Sequence, residues 1–290
     1  MIFEDNTVFL IIQNHFACTG TLIADDLILT DAHCLLPAKG VRTNPSEIDI
    51  YFGSPSESTE LTTADRFAVT PEWEAEVSGG FKVHGDPNFS ELDGLENKSI
   101  AETISYLPPG ILDFLGLNIE TNRKSFIEHF RNTRGDIALI HFSKPSQSSR
   151  KKLALASEMA GLPTGLVYIA GFGNTSDEFS DEDPVLHYGQ ASLVAQLGEI
   201  VFSEVSKNSS GNCAGDSGAP MMLEMNGKIY LYALVRAVKF GCQGIGEYTK
   251  ISPYFGWIES AAQSMRNSIS PSMARRTNPP PRKRGHLKKR

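Results

Sequence analysis

A cysteine, an acid, a serine and three glycines share the ten residues Gly211–Pro220, GNCAGDSGAP. A serine hydroxyl is a weak nucleophile until a neighbouring base takes its proton. Gly215 and Gly218 lie close on either side of Ser217, where they permit a sharp turn and the near approach of a substrate backbone. In such a turn the N–H groups of Gly215 and Ser217 can converge on one point and serve as two donors for a developing oxyanion. His33, in LILTDAHCL, directly follows an apolar strand and is a candidate base. Asp136, in RGDIALIHF, heads another apolar strand and is a candidate carboxylate to orient that base. Singly, these are a loop serine, a surface histidine and a strand-entry turn. Together they are the parts of nucleophilic acyl transfer.

Elements rich in short strands must position them. Val8–Ile12, Thr19–Ile23, Leu27–Thr30, Ile137–Phe142, Leu166–Ala170 and Ala191–Gln196 are short apolar or β-branched runs. Pro220–Glu224 and Lys228–Val235 flank Asn226-Gly227, a two-residue hairpin signal in which both residues tolerate positive φ. This pattern predicts an all-β sandwich or barrel. Two stretches have helical spacing instead. In Ser99–Asn132, Ile100, Ile104 and Leu107 share a face, Pro108-Pro109-Gly110 interrupts, and Phe126, Ile127 and Phe130 follow with Thr121 as a cap. Pro253–Met265 places Tyr254, Trp257, Ile258 and Ala261 on one side of a C-terminal helix.

The chain has 290 residues and a net charge of −7, distributed unevenly. Arg275–Arg290 carries eight Lys or Arg and no acid, while residues 1–274 hold 19 basic against 34 acidic side chains. The tail RRTNPPPRKRGHLKKR is expected to be disordered, and an anionic partner is one use for it. No apolar run approaches the roughly 18 residues of a membrane span. Met1–Ile12 carries Glu4 and Asp5 and does not read as a signal peptide. Cys18, Cys34, Cys213 and Cys242 allow three pairings and lack the short spacings of a zinc site. Two local bridges, Cys18–Cys34 and Cys213–Cys242, are the economical pairing and imply an oxidising compartment. The expectation is therefore a secreted or periplasmic protein whose true start lies upstream. Four Asn-x-Ser/Thr sequons, at Asn88, Asn97, Asn174 and Asn208, suit that compartment without identifying it.

The stretches CTGTLIADDLILTDAHC, GDIALI and GNCAGDSGAP resemble, in that order, the histidine, aspartate and serine segments of trypsin/chymotrypsin-like serine peptidases (the S1 family). AGFG at 170–173 and GEYTKISPYFGWI extend the resemblance, which spans about Val8–Ala262. It implies two six-stranded antiparallel barrels (the first about 1–145, the second about 146–250), a helix at about 253–266, and a helical insertion at about 90–132. One peptidase domain would cover residues 1–266, with 267–290 as the tail. It further implies a serine endopeptidase that acts on protein or peptide substrates, as a monomer and without metal or organic cofactor. Ser217 would be nucleophile, His33 general base and acid, Asp136 its orienter, and the Gly215 and Ser217 amides the oxyanion hole. Asp216 would pair with an α-amino group freed by zymogen cleavage.

The chain also departs from the family pattern. No activation sequence precedes Val8. Gly211 replaces the acid that binds Lys or Arg in trypsin-like pockets, with Asn212 beside it and Gly246 on the opposite wall. The usual Ser-Trp-Gly aligns with Ala237-Val238-Lys239, so Ala237 is expected to leave the triad carboxylate without its hydroxyl partner. Lys239 at the pocket mouth predicts a preference for acidic or polar substrate side chains. Two rival readings share these residues: a catalytically weak homologue acting as a binding or regulatory module, and an esterase. The residues before Asp136 are expected to form a lid or exosite, or to pack away from the cleft.

Overall fold

The computed structural model describes residues 2–14, 16–37, 42–55, 61–79, 134–143, 150, 152–156, 163, 166–176, 184–204, 210–239, 242 and 244–268. The insertion expected at 90–132 and the basic tail lie outside the described residues. A short helix α1 (Ile2–Asn6) leads into strands β1 (Thr7–Ile12), β2 (Phe16–Ala24) and β3 (Leu27–Thr30). The chain continues through α2 (Ala32–Leu35), β4 (Ile48–Tyr51), β5 (Leu61–Val69), α3 (Pro71–Gly79) and β6 (Ala138–Phe142). These six strands close a barrel in the order β1-β2-β3-β6-β5-β4, with β4 paired back on β1. β3 and β6 are buried at every position, so they read as continuous apolar runs rather than alternating ones.

The second half contains β7 (Ala154–Leu155), β8 (Leu166–Gly171), β9 (His187–Leu197), β10 (Ile200–Glu204), β11 (Pro220–Met225), β12 (Lys228–Lys239) and β13 (Ile245–Lys250). Strands β11-β8-β9-β10-β13-β12 run antiparallel, and the β11–β12 pairing closes them into a second barrel. β7 is a seventh, two-residue addition, parallel to β12. The β11–β12 hairpin turns on Asn226 and Gly227 at φ of 53° and 71°, the positive values expected there. β4, β5, β10 and β13 have weaker sequence signatures, because polar or small residues interrupt their apolar positions.

Each barrel has its own core, and a third apolar cluster joins them. Leu10, Ile28, Ile50 and Ile140 sit in the first core; Val167, Met221, Tyr232 and Tyr248 sit in the second. Leu29, Leu139, Leu231 and Leu234 meet Ile258 and Met265 of helix α4 (Phe255–Asn267) in the third. Each fully buried Leu or Ile contributes roughly 1.5–3 kcal/mol over its exposed state. Arg266 of α4 pairs with Asp26 in the β2–β3 turn at 2.5 Å, so the last helix is tied to the first barrel.

The barrels touch at the serine loop. Thr19 N–H donates to Ser217 O at 2.8 Å, and Thr19 Oγ1 donates to Gly215 O at 2.9 Å. Gly218 has φ +82°, and a Cβ there would lie 2.1 Å from Thr30 Oγ1 and 2.3 Å from Thr19 O. The latter is strand backbone and cannot step aside. Gly218→Ala should therefore cost about 3 kcal/mol, or roughly 10 °C in melting temperature. Gly227 (φ +71°) has nothing within 4 Å of such a Cβ. Gly227→Asn should leave the melting temperature within about 2 °C, since Asn tolerates this conformation. Calorimetry of both variants checks the contrast; equal melting temperatures would contradict it.

Candidate active site

His33 lies in the single turn α2, immediately after β3. Its neighbour Cys34 is bridged to Cys18 of β2, and Cys213 is bridged to Cys242, the two local pairings expected from the sequence. Asp136 follows Gly135, whose φ of +70° turns the chain into β6. That turn is held from outside: Gly135 N–H donates to Tyr254 Oη at 2.8 Å and to Glu199 Oε1 at 3.2 Å. Thr70 Oγ1 also donates to Gly135 O. Ser217 sits in the turn between β10 and β11, where Gly215 (φ +98°) and Gly218 both take the left-handed region. Asp216 N–H donates to Cys213 O at 3.1 Å and Ala219 N–H to Asp216 O at 2.8 Å, closing the loop on itself.

These elements bring the three distant side chains together. His33 Nε2 is 3.0 Å from Ser217 Oγ. His33 Nδ1 is 2.8 Å from Asp136 Oδ2, and the His33 backbone N–H donates to Asp136 Oδ1 at 2.9 Å. Asp136 is buried while a third of the His33 side chain reaches the surface. Burial works against the Asp136 charge, but His33 and then Arg236 hold its carboxyl below the ordinary range. Burial likewise opposes a charged His33; Asp136 and then Asp31 overcome it and raise the imidazolium to about 9, with Arg236 acting the other way. Among the described residues, no acceptor occupies the N–H of Gly215 or Ser217.

Asp216 turns away from Ser217. Its carboxylate accepts from Gly173 N–H at 2.8 Å and from Cys213 N–H at 2.9 Å, and burial pushes its pKa up to about 6. It borders a cavity of about 390 Å³ that also reaches His187, Gly189, Gly211 and Asn212. Asn212 Nδ2 donates to Tyr248 Oη at 2.6 Å, and a Cβ on Gly246 would come within 2.7 Å of both groups. Gly211, Asn212 and Gly246 are thus neighbours. Lys239 ends β12 opposite Ile245, and its side chain lies outside the described residues.

One expectation needs correction. The β12 residue that faces Asp136 is Arg236 rather than Ala237, with its Nε 3.6 Å from Asp136 Oδ2. The β12–β13 register shifts between Val235 and Ala237, and this irregularity turns Arg236 inward. Glu247 meets this same guanidinium, at 3.4 Å. Asp31, two residues before His33 and absent from the sequence-derived site, also stands beside the ring, its Oδ2 3.8 Å from His33 Nδ1. The available signals were a lone cation within the apolar run LYALVRAV and an acid beside the candidate base. Asp31, His33 and Asp136 present ligand atoms within 4.8 Å of one another, the makings of a metal cluster. Arg236 already supplies a positive charge against that group.

Comparison with known proteins agrees with this geometry. The trypsin family model matches residues 117–258. The CLIP domain-containing serine protease C9 of Anopheles gambiae is 36% identical over 260 residues, 87% of this chain and 62% of that protein. The hepatocyte growth factor activator serine protease of Homo sapiens is 30% identical over 120 residues, 36% of this chain and 18% of that protein. Chymotrypsin-like elastase family member 1 of Canis lupus familiaris is 24% identical over 260 residues, covering 86% of this chain and 83% of that protein. The chain thus spans less than two thirds of the first two relatives. Two barrels, two disulfides, the three motifs in order and these similarities lead to one conclusion: the chain belongs to the trypsin/chymotrypsin-like serine peptidase family.

Proposed function

We propose that the chain is a serine endopeptidase working through an acyl-enzyme on Ser217. The reading rests chiefly on the continuous hydrogen-bonded line from Asp136 through His33 to Ser217, at 2.8 and 3.0 Å. Ser217 Oγ attacks the scissile carbonyl carbon as His33 Nε2 removes its proton. The oxyanion is held by the N–H groups of Gly215 and Ser217. His33 then protonates the leaving amine, the acyl–Ser217 ester forms, and water activated by His33 releases the carboxylic acid. Asp136 fixes the tautomer that leaves Nε2 free to accept and stabilises the imidazolium.

Residues 1–266 act as one peptidase domain in this reading, and 267–290 as a basic appendage for an anionic partner. The two disulfides fit an oxidising, extracellular setting. Asp216 receives an α-amino group in the cavity beside it, and that ion pair offsets the cost of its buried charge. With Gly211 at the pocket floor and Lys239 at its mouth, cleavage after Lys or Arg is disfavoured and acidic or polar residues are favoured. Digestion of a diverse peptide library by the full chain, with products sequenced by mass spectrometry, tests this. Cleavage after acidic or polar residues is expected. Strict cutting after Arg would overturn the pocket assignment, and an absence of any cleavage would overturn the peptidase reading.

The pH profile follows from the same geometry. His33 must be neutral to accept the Ser217 proton, and its raised value means the acid limb of kcat/KM should centre near about 9. Activity is then full above that pH and lost as pH falls through it. The stability contribution has the opposite sense. It is fully present below the ordinary imidazole value of about 6.5 and lost as pH rises through the folded one. Initial rates between pH 6 and 10.5, about 1.5 units beyond the expected midpoint, would show it. An acid limb at about 6.5 would contradict the account.

A further inference from the structure

Strand β2 buries two hydroxyls on the face that points away from the first core. Successive side chains of a strand point to opposite faces. Cys18 and Leu22 therefore enter the first core, while Thr19 and Thr21, both wholly buried, turn toward the serine loop. A buried hydroxyl needs a partner, and Thr19 has two. Its Oγ1 donates to Gly215 O at 2.9 Å and accepts from Phe172 N–H at 3.2 Å. The direction of both bonds is fixed, because a carbonyl only accepts and an amide N–H only donates.

These bonds bear on the two amides assigned to the oxyanion. In a trans peptide the N–H and C=O point in opposite directions. Asn174 N–H holds Ala214 O at 2.9 Å, so the Gly215 N–H of that same peptide is aimed the other way. Ala219 N–H holds Asp216 O at 2.8 Å and does the same for the Ser217 N–H. Between them lies the peptide that carries Gly215 O. Its N–H makes a turn bond within the loop, to Cys213 O at 3.1 Å, and its oxygen is held from the other barrel by Thr19.

Resting on the peptidase reading above, we propose that Thr19 is a positioning residue of the oxyanion hole. Its hydroxyl, bridged between Phe172 N–H and Gly215 O, locks the peptide that joins the two amide donors and keeps both aimed at one point. Donors set in place beforehand need no reorganisation when charge develops on the carbonyl oxygen. A loop free to swing about Gly215 would lose that advantage, since glycine takes left- and right-handed conformations with similar ease. The lock is separate from whatever cation meets Asp216, whose carboxylate is served by Gly173 N–H and Cys213 N–H instead. It also makes the oxyanion hole depend on the seating of the first barrel, because the hydroxyl belongs to β2.

Thr19→Val keeps the β-branched shape and the N–H to Ser217 O but removes the hydroxyl, whereas Thr19→Ser retains it. With one peptide substrate, Thr19→Val should lower kcat on the order of 10–100-fold and leave KM within about twofold. Thr19→Ser should recover most of that loss, and the acid limb of the pH profile should stay in place because His33 is untouched. Hydrogen exchange read by mass spectrometry should quicken across Gly211–Pro220 in Thr19→Val and not in Thr19→Ser. A loss in kcat smaller than about tenfold, a loss expressed in KM alone, or an equal loss in Thr19→Ser would overturn the proposal. Should Thr19→Val fail to fold, Thr19→Ala set against Thr19→Ser isolates the same hydroxyl. A parent chain that hydrolyses no peptide would defeat the peptidase reading. Exchange across Gly211–Pro220 would then decide whether Thr19 locks the loop, and unchanged exchange in Thr19→Val would refute it.

Discussion

Ser217→Ala should lower kcat for peptide hydrolysis by on the order of 10⁴–10⁶-fold while leaving the melting temperature nearly unchanged. The hydroxyl is the atom that becomes bonded to the acyl carbon, and no other described nucleophile lies against His33. Removing it leaves the amides of Gly215 and Ser217, whose donors depend on the turn rather than on the side chain. Residual rate over water from those donors alone is expected at about 10³-fold. Thr19 bonds to the backbone oxygens of Ser217 and Gly215, not to Oγ, so the loop should keep its shape in the variant. A loss of less than tenfold in kcat would show that Ser217 is not the nucleophile.

Asp136→Asn should cost about 10⁴-fold in kcat near neutral pH. The carboxylate accepts two bonds from His33, one from Nδ1–H and one from the backbone N–H. An asparagine retaining the backbone bond through its oxygen presents its NH₂ to Nδ1. The imidazole then adopts the other tautomer, with Nε2–H facing Ser217 and unable to take a proton. The variant also removes a negative charge that Arg236 meets at 3.6 Å, so burial of the guanidinium becomes less favourable. Steady-state kinetics with one peptide substrate give the number. A loss under about 30-fold would mean that the tautomer is fixed by something else.

The legible parts of the molecule are those in which local pattern and global role coincide. β1, β3, β6 and the β11–β12 hairpin are continuous apolar runs or carry a turn whose chemistry names it. His33, Asp136 and Ser217 stand at the ends of such runs, so strand boundaries and site residues were found together. α4 was legible because Tyr254, just before it, and Trp257, Ile258 and Ala261 within it recur on one side; Tyr254 and Ile258 are buried in the joining cluster, with Trp257 and Ala261 half-buried against it. The features not legible in the sequence depend on contacts between distant segments. Arg236 faces Asp136 only because β12 slips against β13, and no single-strand pattern carries that slip. Tyr254 and Glu199 support Gly135 from more than 60 residues away, as hydrogen bonds whose sequence trace is nil. Polar residues of this kind are placed by the fold, not by their neighbours in the chain.

Covalent labelling is the most direct test. The full chain treated with a fluorophosphonate probe, digested and mapped by mass spectrometry should carry one adduct, on Ser217, and the adduct should vanish in His33→Ala. Labelling elsewhere, no labelling, or labelling at Ser217 that is indifferent to His33 would contradict a serine activated by that imidazole.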